Sequence, residues 1–180
     1  MQLSSNIHQL VFSLSILLVS LTWLGGCATI SAVQSEDQYK RQRILNAAQQ
    51  LIGTPYILGG ESPKGVDCSG LVQYAYAQAG IRLPRTASAQ FKFGRSQSRI
   101  LPGDLLFFRT SNADFISHVG IYAGQNQMIH TSSSSGKVSR VNLKQRYWQC
   151  HMVGGTTYLG TVSAQPIDTG WPATTAGTSS

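Results

Sequence analysis

The stretch Gly65-Val66-Asp67-Cys68-Ser69-Gly70-Leu71-Val72-Gln73-Tyr74-Ala75-Tyr76 decides how the rest of the chain is read. It follows a Gly- and Pro-containing segment, residues 53–67, that reads as a loop. Leu71, Val72, Ala75, Tyr76 and Ala79 then recur on one face at helical spacing, which predicts a helix from about Cys68 to Gly80. Cys68 thus stands at a helix start, where backbone amides and the helix dipole favour an anion. The expectation is a thiol acidified below its ordinary value of about 8.5, as a nucleophile requires.

A nucleophilic cysteine needs a base, and the base needs an orienting group. Beyond the N-terminal segment the chain has His118, His130 and His151. His118-Val119-Gly120-Ile121-Tyr122 and Met128-Ile129-His130-Thr131 read as two strands of a hairpin around Gly124-Gln125-Asn126. Strand parity decides whether the two rings can meet. A three-residue loop at 124–126 pairs Ala123 with Gln127, so paired positions sum to 250 and Gly120 faces His130. His118 and His130 are then diagonal neighbours on one face, roughly 7 Å or less between β-carbons and within reach of a ring-to-ring hydrogen bond. A loop of even length would separate them. Gly120, lacking a side chain, is expected to leave room beside both rings.

His151 reads as an ordinary strand histidine. Cys150, between Tyr147-Trp148 and Met152-Val153, reads as a small core residue of the same strand. In an oxidising compartment Cys68 and Cys150 could pair, but their contexts argue against a disulfide. Cys68, His118 and His130 contain no close-spaced ligand pair of the structural-zinc kind, so no metal is expected, and no cofactor.

Outward from this core, Ile44, Ala47, Ala48, Leu51 and Ile52 predict a helix over Lys40–Ile52, ended by Gly53 and Pro55. A short helix is expected near Ala87–Phe93. Strands are expected at Asp104–Arg109, His118–Ala123, Met128–Thr131, Val138–Leu143 and Cys150–Leu159. Helices first and antiparallel strands after give an α+β fold, with N-terminal helices packed on the sheet. The domain is expected to span residues 40–159. Residues 160–180 are poor in apolar residues and read as a disordered tail.

At the other end, Leu10–Leu24 is an apolar run too short to span a bilayer comfortably, followed by Gly25-Gly26-Cys27. Residues 1–26 read as a secretion signal, although no Lys or Arg precedes the apolar run. The Leu24–Cys27 segment resembles the lipobox of bacterial lipoproteins, which implies cleavage before Cys27 and lipidation of that residue. Residues 27–39 would then be the lipidated cysteine and a tether. By resemblance to enterobacterial sorting, Ala28 implies the periplasmic side of the outer membrane. The chain of 180 residues is 42% hydrophobic and 12% charged, with a net charge of +7. A basic protein suits an anionic lipid or an anionic wall polymer. Nucleic acid is the weakest partner, because no basic block or RNA-binding motif is present.

Taken together, six segments resemble the NlpC family of bacterial cell-wall cysteine peptidases, which have a papain-like fold. They are Gly53-Thr54-Pro55-Tyr56 with Gly59-Gly60, Asp67-Cys68-Ser69-Gly70-Leu71, Leu83-Pro84-Arg85-Thr86, Pro102-Gly103-Asp104-Leu105, His118-Val119-Gly120-Ile121-Tyr122 and Ile129-His130. They occur in the family's order across residues 40–159. The resemblance implies Cys68 as nucleophile, His118 as base and His130 as its orienting residue. It implies that Tyr56 lies beside the site and helps hold an oxyanion, and that Asp67 and Ser69 flank the nucleophile and contact a peptide amine. For Arg85 it implies proximity alone. The implied substrate is a murein peptide, cut at a D-Glu–diaminopimelate or D-Ala–diaminopimelate bond, by a monomer held to the membrane through its lipid. The rivals are a murein amidase or acyltransferase of the same superfamily and a catalytically silent wall-binding lipoprotein.

Overall fold

The computed structural model describes residues 26–110 and 114–160. The signal-like segment 1–25 and the tail 161–180 lie outside the described residues, as does the side chain of Cys27. The chain divides into two units, Met1–Gln38 and Tyr39–Ser180. The described part of the first is the opening of helix α1, Gly26–Gln50. This helix starts well before Lys40. The segment read as a tether contains no proline or internal glycine after Gly26, so nothing in it stops a helix.

The second unit carries the fold. Ile44, Ala47, Ala48 and Leu51 are buried as their spacing predicts. After α1 comes a small hairpin, β1 (Glu61–Ser62) and β2 (Gly65–Val66), inside the segment read as loop. Helices α2 (Cys68–Ala77) and α3 (Ala87–Phe93) follow. A six-stranded antiparallel sheet completes the unit: β3 (Arg95–Ser96), β4 (Leu105–Phe108), β5 (His118–Gly124), β6 (Gln127–Thr131), β7 (Val138–Asn142) and β8 (Met152–Thr157). Its spatial order is β3-β8-β4-β5-β6-β7. A short helix, α4 (Arg146–His151), precedes β8.

Both faces of this sheet are covered, which explains the continuous apolar run of β4. Leu105, Phe107, Val119, Ile121 and Ile129 join the helical residues Leu71, Val72, Ala75 and Tyr76 in the larger core. Leu106, Phe108 and Met128 point the other way and pack with Leu143 and Trp148. The alternation of β5 therefore assigns His118 to the side of Phe108 and Trp148.

The strand expected over Cys150–Leu159 needs correction. Its first two residues belong to α4, and Cys150 is exposed rather than a core residue. The core position in this stretch is Trp148, two residues earlier. Both described cysteines, Cys68 and Cys150, are free.

The β5–β6 hairpin shows how the parity of the two histidines is kept. Ile121 pairs with Ile129 and Tyr122 with Met128, so the sum of 250 holds, but Gly124 pairs with Gln127. The connection is a two-residue turn, Gln125-Asn126, with both φ angles positive (52° and 57°) as a type I′ turn requires. An extra residue on β5, Ala123, forms a bulge beside it. Turn plus bulge has the same parity as the three-residue loop expected, so the rings still share a face. At Gly120 a β-carbon would lie 2.4 Å from Met128 Sδ. The glycine makes room for Met128.

Candidate active site

Helix α2 begins where the sequence requires. Asp67 is its N-cap, with extended backbone (φ −92°, ψ 179°), and its Oδ1 accepts from the Gly70 N–H at 2.7 Å. Two glycines let the preceding loop close on this end, because a β-carbon on Gly70 would lie 2.0 Å from the Gly60 carbonyl oxygen. Asp67 Oδ2 accepts from the Gly59 N–H (3.0 Å), and Ser69 Oγ donates to Oδ1 (3.1 Å). Arg85 completes the set, with Nη2 on Asp67 Oδ2 at 2.5 Å and Nη1 shared between Asp67 Oδ1 (3.1 Å) and Ser69 Oγ (2.8 Å). Its Nε pairs with Glu61 on the small hairpin. Burial raises the Asp67 pKa, but Arg85, the Gly70 N–H and Ser69 together hold it below the ordinary value.

Asp67 is thus saturated from inside the protein. Its two oxygens accept five bonds, and the side chain also borders the groove. Arg85, for which only proximity was expected, is an integral part of the cluster.

Cys68 opens onto a groove of about 680 Å³ whose walls include Tyr56, Leu58, Gly59, Asp67, Ser69, Arg85, Phe115 and Ile116. The backbone N–H groups of Val119, Ser69 and Cys68 itself favour the thiolate. Val119 adjoins His118, and Cys68 packs against the core cluster to which Val119 belongs. Burial nonetheless dominates and pushes the Cys68 thiol up, and the Asp67 carboxylate adds to the rise. This corrects the expectation of an acidified thiol: the helix start is buried under the sheet, and desolvation outweighs its amides. Burial likewise raises the Tyr56 phenol, with Cys68 and Asp67 as smaller causes.

The two histidines meet as parity predicts. His118 Nε2 and His130 Nδ1 are 3.0 Å apart, with ring centroids separated by 5.1 Å. Both side chains are buried. Trp148 roofs them, stacked on His118 (5.8 Å, 25° between planes) and edge-on to His130 (4.9 Å, 79°). Phe108 packs against Trp148 and against His118. In this dry setting the pKa of His118 falls to about 3, chiefly by burial and secondly by His130, and burial takes that of His130 to about 4. Both rings are therefore neutral near pH 7, opposite a protonated thiol.

Of the residues singled out in the sequence, Tyr56, Asp67, Cys68, Ser69 and Arg85 line one groove. His118 and His130 form a bonded pair, and Val119, next to His118, belongs to the core cluster against which Cys68 packs. His151 stands apart, with Nδ1 2.7 Å from the Tyr147 carbonyl oxygen one turn earlier in α4. Trp148 and Glu61 were not legible as site residues. Trp148 lies among polar and charged neighbours, and its role depends on a short helix that folds over the sheet. Among the described residues, no three His, Cys, Asp or Glu side chains group to hold a metal ion.

The NlpC/P60 family profile matches residues 53–157. Gamma-DL-glutamyl hydrolase of Bacillus subtilis is 44% identical over 115 residues, 62% of this chain but 28% of that protein. Murein DD-endopeptidase MepS/Murein LD-carboxypeptidase of Escherichia coli is 37% identical over 135 residues, 69% of this chain and 70% of that protein. The chain thus spans under a third of the first relative and about two thirds of the second. Among solved structures, a lipoprotein-like NLP/P60 protein of Staphylococcus aureus superposes with a TM-score of 0.62 at 37% identity, covering 68% of this chain and 42% of that one. A sheet with the expected register, a cysteine at a helix start beside it and a matched segment spanning both agree: the chain belongs to the NlpC/P60 family.

Proposed function

We propose that this protein is a cysteine peptidase that hydrolyses peptide bonds of murein. The observation that carries the reading is the Cys68 thiol at the start of α2, open to the groove and packed against the cluster that contains Val119, with the bonded His118–His130 pair beginning at the adjoining residue of β5. The names of the relatives support the substrate class, since one is a γ-DL-glutamyl hydrolase and another a murein endopeptidase.

The tautomers follow from the ring contact. For His118 to accept a proton at Nδ1, its Nε2–H must donate to His130 Nδ1, which makes His130 the orienting acceptor. Cys68 Sγ then attacks the scissile carbonyl carbon while its proton passes to His118 Nδ1. The carbonyl oxygen becomes an oxyanion beside the Cys68 backbone N–H and the Tyr56 hydroxyl. As the C–N bond breaks, Nδ1–H protonates the leaving amine, leaving a thioester. Water attacks the thioester with Nδ1 again as base, the C–S bond breaks and the thiol is regenerated. Because both partners are neutral at rest, proton transfer accompanies attack rather than preceding it. Arg85, paired with Asp67 and Glu61, forms part of the groove wall, and Ser69 helps to hold it there.

The bond we assign is D-Glu–diaminopimelate or D-Ala–diaminopimelate. We further assign lipidation to Cys27 and a place on the periplasmic side of the outer membrane, on the sequence features at Leu24–Ala28, and take a monomer as the default state. The test is digestion of diaminopimelate-containing murein by wild type and by Cys68→Ala, with products weighed by mass spectrometry. Cleavage by wild type alone supports the peptidase and names the bond. No cleavage by a folded, reduced wild type overturns it in favour of a silent wall-binding protein.

A further inference from the structure

Gln90 is fully buried, yet it belongs to neither the groove lining nor the nucleophile's hydrogen bonds. Its Nε2 donates twice, to the Pro84 carbonyl at 2.8 Å and to the Ser69 carbonyl at 3.2 Å. Its Oε1 is buried with no partner. A buried amide with an unsatisfied oxygen is costly, so the side chain is retained here for its two N–H bonds. Those bonds join the backbone just before Arg85 to the backbone just after Cys68. The backbone of Gln90 is itself fixed, since its carbonyl accepts from Tyr158 Oη at 2.7 Å.

The first turn of α2 has other supports: the Asp67 cap, the Gly60–Gly70 approach and the buried side chains of Leu71 and Val72. The wall that carries Arg85 has fewer. Gln73 holds Leu83 through its carbonyl (2.9 Å), and Ser88 Oγ reaches the Ile116 carbonyl (2.8 Å). Between those anchors, the backbone before Arg85 depends on Gln90.

We propose that Gln90 is a positioning residue that sets where Arg85 stands in the groove, and so controls how tightly a peptide is held there. The inference rests on the peptidase reading for its substrate and on the Pro84 and Ser69 bonds for its geometry.

The test uses the full chain carrying Gln90→Met, which keeps length and approximate volume but removes both donors. Titration of the Cys68→Ala background with a murein tetrapeptide, L-Ala-γ-D-Glu-diaminopimelyl-D-Ala, reads affinity without turnover. The expected result is a five- to twenty-fold weaker Kd in the Gln90→Met chain, and no further weakening when Arg85→Ala is already present. On turnover, KM rises by a similar factor while kcat changes less than twofold. An unchanged Kd, a drop in kcat alone, or full additivity with Arg85→Ala overturns the inference. If wild type binds the peptide but cuts neither it nor crosslinked murein, the peptidase reading fails while the Kd comparison still decides the role of Gln90.

Discussion

The two halves of the site are built on opposite physical plans. The cysteine half is polar: Asp67, Ser69, Arg85 and three backbone N–H groups converge on one helix start. The histidine half is apolar: two imidazoles lie on strands under Trp148 and Phe108, with each other as the polar partner. Charge-assisted bonds position groups by direction, so the polar half fixes geometry. Burial suppresses charge, so the aromatic half fixes protonation.

Breaking either half at its reactive atom has the largest effect. Cys68→Ala and His118→Ala are each expected to cut kcat by about 10⁴-fold or more, and the double variant to be hardly worse than either, because the residues act as a unit. Murein digestion with purified variants measures this. A large residual rate in His118→Ala would mean that another group serves as base.

Next in size is the roof. Trp148→Ala is expected to cost about 3–5 kcal/mol in urea unfolding. It also admits water to the rings and lifts the His118 pKa towards 6.5. Since protonated His118 cannot act as a base, the acid limb of kcat/KM should move to higher pH. An unmoved limb in a folded variant would show that the roof gives stability only.

The third prediction separates the halves by pH. Each histidine has a folded pKa depressed from 6.5, to about 3 and about 4. Below pH 6.5 the unfolded chain binds protons that the folded chain refuses, so stability is present above that pH and lost as pH falls. The slope approaches about 1.4 kcal/mol per pH unit for each histidine near pH 5 and falls off for His130 towards pH 4. Urea melts across this range should show it, and His130→Gln should remove about half. Asp67 also loses stability on acidification, but below its ordinary value of 3.8, which leaves the upper window to the histidines.

The smallest effects test the polar half against its own rim. Asp67→Asn disrupts a buried cluster that includes Arg85 and should cost about 2 kcal/mol. Glu61→Gln removes an exposed partner of the same Arg85 and should cost under about 1 kcal/mol. Equal costs in thermal melts would erase the distinction between the anchored and rim sides of Arg85.

Much of this was legible in the residues. The helix at Cys68, the common face of His118 and His130 and the α+β order all follow from periodicity, which local sterics impose on any chain. Cys150 shows the limit: a short helix and a strand boundary within one apolar stretch share a pattern, and packing of Trp148 decides between them. The hairpin was read one residue too long, since a turn with a bulge and a longer loop leave the same parity.

The sequence by itself determined which residues could react and which faces they share, because both depend on residue type and local spacing. Tertiary structure alone decided their protonation and their supports. The amides at Cys68 promise an acidic thiol, but desolvation is a sum over everything packed around it, and that sum reverses the sign. Trp148 over the histidines, Glu61 on Arg85 and Gln90 between Pro84 and Ser69 are likewise contacts between distant segments, for which no local period exists.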